Sequence, residues 1–328
     1  MSEKKEFTER VLIMDEAGLH IKDPEIAEKL EKKSISASMI TGLESCAARW
    51  LMDSFVTRDL IEEEPDNAAR RGSLFHKVME DFFALDKEER TQTAVKEIAK
   101  EVVNSEEFVD LSRNRDVLTW LKDAIEGYYA MGSNPQNVNV AEIVMNEDKG
   151  PQKGLEIFVK GKIGNANRET LGFIDRLSLS GKDGKSLIVE DFKSGAKVKQ
   201  WKSHTKSNEG WAEQRQQLIY KLLLEQKGFE VSGARLIYPV ARQIVKVDTN
   251  DETLVQKVIQ DVENTDKALD TMIETNTFEY TPSFLCHFCA LAKICVGAGY
   301  INKKSDKLRE AFNSQPDSEV LLQAIQMQ

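Results

Sequence analysis

The sequence predicts an α/β fold, and three observations carry that expectation. Residues 170–193 hold two strands of alternating pattern joined by turn-forming residues. Stretches of helical periodicity lie on both sides of them, at 87–108, 111–131, 211–224 and 251–275. Further strand-like runs at 138–146, 155–163, 234–240 and 243–247 offer partners for a sheet. A chain of 328 residues, 41% hydrophobic and 30% charged, can bury a substantial core as one large domain or two small ones.

No run approaches the length of a membrane span, and the charged start Met1-Ser2-Glu3-Lys4-Lys5-Glu6 lacks an apolar signal core. The expected location is therefore cytoplasmic, with no membrane partner. In a reducing compartment, four cysteines point to metal or redox chemistry before disulfides. The net charge of -10 counts mildly against a nucleic-acid binder. A protein that holds a metal with carboxylates can nevertheless be acidic in total and basic along one groove.

Residues 1–33 read as a charged arm, with a helix start at Asp23-Pro24, the aspartate as cap and proline at the first position. Ser34-Ile35-Ser36 opens a capped helix that leads to Cys46. After an acidic loop at 59–67, Ser73 is positioned to cap a helix whose apolar side is Phe75, Val78, Met79, Phe82 and Phe83, with His76 at its edge. The stripes at 94–103 and 117–129 read as ordinary core of a helical insertion, about 86–132. The period then changes to strands at 138–146 and 155–163, the first carrying Glu142.

In Thr170–Leu179 an acid, Asp175, interrupts an apolar stripe, which suggests a ligand carboxylate. Leu187-Ile188-Val189-Glu190-Asp191-Phe192-Lys193-Ser194-Gly195 reads as a buried strand ending in an acid, a base and a turn. Alternation puts Asp191 and Lys193 on one face and Glu190 and Phe192 on the other. A hairpin through residues 180–184 would bring Asp175, Asp191 and Lys193 together. The following stretch carries Lys197, Lys199, Lys202, His204 and Lys206 around Trp201, a composition suited to phosphate neutralisation and base stacking. On the helix from Trp211, Gln216 and Tyr220 share a face. The cysteines fall as Cys46 alone and as Cys286-x2-Cys289-x5-Cys295, a one-plus-three set that can complete four ligands. His287 lies inside the Cys-x2-Cys pair.

Asp175, fifteen residues, then Asp191-Phe192-Lys193 resembles the core of the PD-(D/E)XK nucleases. Gly72-x3-His76 before it, Gln216-x3-Tyr220 after it and the flanking cysteines are similar to the RecB-like branch that carries an iron-sulfur cluster. The CRISPR-adaptation-type exonucleases and the AddB nuclease domain belong there. The resemblance spans residues 34–300 and leaves out the arm and the tail 301–328. It implies a restriction-endonuclease-like core, a mixed central sheet flanked by helices. It implies Mg²⁺ or Mn²⁺ held by Asp175, Asp191, the Phe192 carbonyl and His76, with Lys193 and Gln216 catalytic. Tyr220 and Lys197, Lys199, Trp201, Lys202 and Lys206 would grip DNA. Cys46, Cys286, Cys289 and Cys295 would hold a 4Fe-4S cluster that clasps the N-terminal part to the C-terminal part.

The implied activity is a DNA exonuclease acting on single strands or free ends, 5′ to 3′, in recombination, repair or CRISPR-type processing. Glu142 is a further candidate for the metal site. Three alternatives stand beside this reading: structural zinc on the cysteines, a DNA-end-binding subunit of a helicase–nuclease or adaptation complex, and a zinc-stabilised interaction protein. No Gly-x4-Gly-Lys-Ser/Thr motor motif is present, so unwinding would need a partner.

Overall fold

The computed structural model describes residues 12–57, 68–132, 134–145, 150–180, 184–199 and 210–289, with 292, 294, 295, 297, 310, 313 and 314. The described residues fall into two compact units, one within Met1–Glu62, Gly164–Glu169 and Asp261–Gln328, the other within Glu63–Ile163 and Thr170–Gln260.

In the first unit, β1 (Leu12–Met14) and β2 (Leu19–Ile21) form an antiparallel ribbon. Leu19 also exchanges both backbone hydrogen bonds with Phe278. Helix α1 (Pro24–Glu31) starts as its sequence predicts, Asp23 accepting from the Glu25 amide and proline leading the first turn. Helix α2 (Ala37–Ser45) is capped by Ser36, and α3 (Ala47–Met52) follows with Cys46 extended between them. Leu12, Leu19, Leu30, Leu51, Met52, Leu269 and Phe278 share one core. The segment read as an added arm is thus a packed part of this unit from Leu12 onward. Its apolar residues gain a partner only when the residue 278 region is adjacent, which local patterning does not reveal.

The second unit opens with α4 (Ala68–Ala84), which turns its stripe of Leu74, Phe75, Val78, Met79, Phe82 and Phe83 inward. Ser73 lies inside this helix and not at its cap, because Ala68, Ala69, Arg70 and Arg71 are good helix formers that extend it backwards. Helices α5 (Gln92–Val103) and α6 (Arg115–Ala130) pack on it. Of the strand expected at 138–146, the described residues 138–145 are mostly irregular: β3 (Glu142–Ile143) pairs with β4 (Gln152–Lys153), and Val140 bridges to Ser178.

The central sheet has five strands in the order β5 (Leu155–Gly161), β6 (Thr170–Leu179), β7 (Leu187–Phe192), β8 (Val231–Tyr238) and β9 (Gln243–Val247). Neighbours are antiparallel except β7 and β8, which run parallel and are connected through α7 (Trp211–Gln226). The sheet is therefore mixed, as expected. Helix α8 (Glu252–Glu274) follows it. All six residues of β7 are buried, which explains its near-continuous apolar run. Among the described residues, no helix is long and apolar enough to cross a membrane.

Candidate active site

The site forms where two strands part. The β6–β7 ladder runs from Leu179↔Leu187 to Arg176↔Glu190. One step further the Phe192 amide donates instead to Asp175 Oδ2, at 2.6 Å. Asp175 and Asp191 therefore face each other across a fork.

Side-chain alternation along β7 is enforced from the opposite face. Phe192 packs against Phe75, Phe83 and Tyr128, with ring centroids 5.9, 6.5 and 6.2 Å away. Glu190, on the same face, accepts from Arg176 Nε at 2.8 Å, and the Arg176 guanidinium lies 3.9 Å over the Phe83 ring. Burying an aromatic ring this way contributes roughly 2–3 kcal/mol. With Phe192 and Glu190 so fixed, Asp191 and Lys193 are held toward the fork. Burial opposes the Glu190 charge, but the buried Arg176 outweighs it and holds the carboxyl below its usual range.

His76, on α4, joins from the side. Its Nε2 lies 2.8 Å from the Phe192 carbonyl oxygen and its Nδ1 3.4 Å from Asp175 Oδ2. Burial disfavours the imidazolium, yet the Asp175 contact and the charge of Asp191 prevail and push His76 up to about 9. Lys193 Nζ lies 2.9 Å from Asp191 Oδ2 and donates to Gln216 Oε1 at 2.9 Å. With the lysine ammonium on one side, the buried Asp191 carboxylate still has lone pairs free for a further ligand. Burial raises the Asp191 carboxyl, Lys193 opposes the shift and Asp175 adds to it.

Gln216 Nε2 donates in turn to the Tyr220 hydroxyl at 2.9 Å. Tyr220 is only 4% exposed, its ring seated on Gly172. A Cβ there would meet the ring at 2.3 Å, so no larger residue fits without displacing the tyrosine. The geometry makes Tyr220 a support for Gln216.

Sequence reasoning missed Glu156. Among the described residues, Glu156, His76 and Asp175 form the group of metal-ligating side chains whose ligand atoms all lie within 4.8 Å of one another. Glu156 sits in β5 with φ 47, between Leu155↔Arg176 and Ile157↔Ile174. That backbone region is uncommon for any residue but glycine and costs of order 1–3 kcal/mol. Burial and the neighbouring Asp175 charge push its carboxyl up to about 7. Nothing in the alternating run Leu155–Val159 signals a positive φ. Glu142, the acid the sequence offered instead, is exposed on β3, its backbone paired with Lys153.

Of the basic stretch, Lys199 is exposed and paired with Glu213 at 3.0 Å, and Lys197 is exposed. Trp201, Lys202, His204 and Lys206 lie outside the described residues.

Two acids and a lysine on adjacent strands, in the order Asp175, Asp191-x-Lys193, are the signature of one nuclease superfamily. The sequence matches the PD-(D/E)XK nuclease superfamily over residues 34–296. The chain belongs to that superfamily. As a PD-(D/E)XK protein it has a restriction-endonuclease-like sheet, in which Asp175 lies on β6, Asp191 on β7 and Lys193 one residue past the end of β7. A solved crystal structure described as a "Putative exonuclease" from Eubacterium rectale is similar at 14% identity and a TM-score of 0.46. The likeness covers 80% of this chain and 89% of that one, and at this level it carries no argument. No curated protein matches the chain.

The cysteines lie in the first unit. Cys46 is at the α2–α3 junction, Cys286 is in the 3-10 turn Phe284–Phe288, and Cys289 ends that turn. These three, with Cys295, line one cavity together with Met14, Leu19 and Tyr280. None is in a disulfide, and the Ser283 amide donates to Cys286 Sγ at 3.4 Å.

Proposed function

We propose that this PD-(D/E)XK nuclease is a metal-dependent DNA exonuclease of the RecB-like branch, acting on single-stranded or free-ended DNA with 5′-to-3′ preference. The observation that carries the reading is Lys193 Nζ held 2.9 Å from both Asp191 and Gln216. A half-buried ammonium between a carboxylate and an amide is pre-positioned to steady charge developing on a scissile phosphate, and to hold or deprotonate the attacking water.

Asp175, Asp191, the Phe192 carbonyl, His76 and Glu156 would hold Mg²⁺ or Mn²⁺. The donor set fits a hard divalent ion: carboxylate and carbonyl oxygens, with an imidazole nitrogen that gives up its proton when the ion binds. Such an ion supplies a water of lowered pKa and neutralises phosphate charge. Gln216 orients Lys193, and Tyr220 keeps Gln216 in place. Lys197, Lys199, Trp201, Lys202 and Lys206 are proposed to hold the strand.

Chelation followed by re-addition of Mn²⁺ tests the reading: cleavage should vanish and return. Cleavage that survives chelation would refute it. The strained acid gives a sharper outcome. Glu156→Gly should raise thermal stability by about 1 kcal/mol through relief of the positive φ. The same variant should weaken Mn²⁺ binding by about tenfold or more in calorimetric titration. Loss of stability, or unchanged affinity, would remove Glu156 from the site.

For the cysteines, a 4Fe-4S cluster is proposed, serving as a structural clasp between residues near the two ends of the chain. What supports a shared metal group is that Cys46, Cys286, Cys289 and Cys295 all line one cavity. Cys289→Ala should lose iron and folded protein together, measured as iron per chain and soluble yield. Full stability without iron would contradict the clasp. The proposed setting is recombination, repair or CRISPR-type processing, with a helicase or adaptation partner.

A further inference from the structure

Beside the carboxylates lies a feature that neither the fold nor the metal site requires. Phe158 on β5 and Phe173 on β6 are directly paired across the strands, and their rings stand 5.2 Å apart. They are 46% and 56% exposed, in a unit whose other aromatic pairs are mostly packed inside. A scattered exposed apolar residue needs no explanation, but two rings side by side on a solvated ribbon form a surface.

Their place on the strands matters. Phe173 is two residues from Asp175, so alternation sets both on the same side of β6, about 7 Å apart along it. Along this ribbon Phe158 is paired with Phe173 and, further on, Lys160 with Leu171, while toward the fork the ligand atoms of Glu156 and Asp175 lie within 4.8 Å of each other. A ligand that presents a phosphate to Asp175 therefore finds an aromatic pair one step away. Both rings belong to the same compact unit as the carboxylates.

We propose that Phe158 and Phe173 are a stacking platform for an unpaired base of a single DNA strand, the nucleotide next to the phosphate at Asp175. This rests on the nuclease reading. It deepens that reading by naming the group that selects unpaired over paired DNA: a base can lie on exposed rings only when its own stack is open. Every base has a π-face, so the platform grips without reading sequence. Inside a duplex the bases are already stacked, and the rings gain nothing.

The test uses the full-length protein, with Ca²⁺ as the divalent ion, and an oligonucleotide carrying 2-aminopurine at its terminal positions. Wild-type protein should quench the probe on binding single-stranded DNA. Phe158→Ala/Phe173→Ala should abolish the quench and weaken single-strand affinity by about tenfold, leaving blunt-duplex affinity and melting temperature unchanged. Phe158→Tyr/Phe173→Tyr should keep both. Equal affinity for the alanine pair and wild type, or a leucine pair as tight as the tyrosine pair, would overturn the platform.

Cleavage in Mn²⁺ separates the two claims. If wild type cuts and the alanine pair binds and cuts equally well, the nuclease stands and the platform falls. If the quench is lost in the alanine pair while wild type never cuts, the platform stands and the nuclease reading falls.

Discussion

Lys193→Ala is expected to lower single-turnover cleavage by a factor of about 10²–10³, the usual cost of removing one pre-positioned donor to transition-state charge. Folding should survive, because the lysine stem is not part of the Phe75–Phe83–Phe192 cluster that fixes β7. DNA binding should fall far less than turnover, since the ammonium is proposed to act on charge that appears during reaction. Lys193→Arg should not rescue. A planar guanidinium does not fit where a compact ammonium meets Asp191 Oδ2 and Gln216 Oε1 at 2.9 Å each. Turnover within threefold of wild type in the alanine variant would remove Lys193 from the mechanism.

Arg176→Leu is expected to cost about 3–5 kcal/mol of stability, read by chemical denaturation. The substitution leaves Glu190 buried, with the Ser178 side chain and Arg235 Nη1, the latter at 3.3 Å, as its remaining partners. Replacing both, as Arg176→Leu/Glu190→Leu, should recover most of the loss, because the desolvation cost disappears with the pair. The pH dependence supplies a second reading. In the wild type the folded Glu190 carboxyl lies below its usual value, Arg176 outweighing burial. Its contribution is therefore present above the unfolded carboxylate pKa and lost as pH falls through the lowered folded value. In Arg176→Leu burial dominates and the folded pKa rises, so the sign reverses: the variant should gain stability as pH falls through that raised value. A variant with wild-type stability, or with an unchanged pH slope, would show that the pair is not what anchors this face of the sheet.

The parts of the site that were legible in the sequence are those set by strand alternation. Asp191 and Lys193 share a face because Glu190 and Phe192 are claimed by the core behind them, and an acid within the stripe of β6 marked Asp175. Gln216 and Tyr220 followed from helical spacing, though not that Tyr220 would be buried against Gly172. Glu156 was illegible because its role depends on a positive φ, which a run such as Leu-Glu-Ile-Phe-Val does not announce. Arg176 was overlooked for a related reason. A charged residue in a strand reads as solvent-facing until its buried partners Glu190 and Phe83 are known. The division into units was also hidden, since residues 164–169 depart from the strands around them. There Arg168 pairs with Asp266 and Asp270 of the distant helix α8, at 2.8 and 2.6 Å.

The most direct measurement is the degradation of end-labelled single-stranded DNA by anaerobically purified protein, with and without Mn²⁺, beside Asp191→Ala. The account predicts metal-dependent loss of label that disappears in the variant, with the 5′ label released before the 3′ label. A folded wild-type protein that binds Mn²⁺ and DNA but leaves both labels intact would contradict it, and would make the chain an end-capturing subunit.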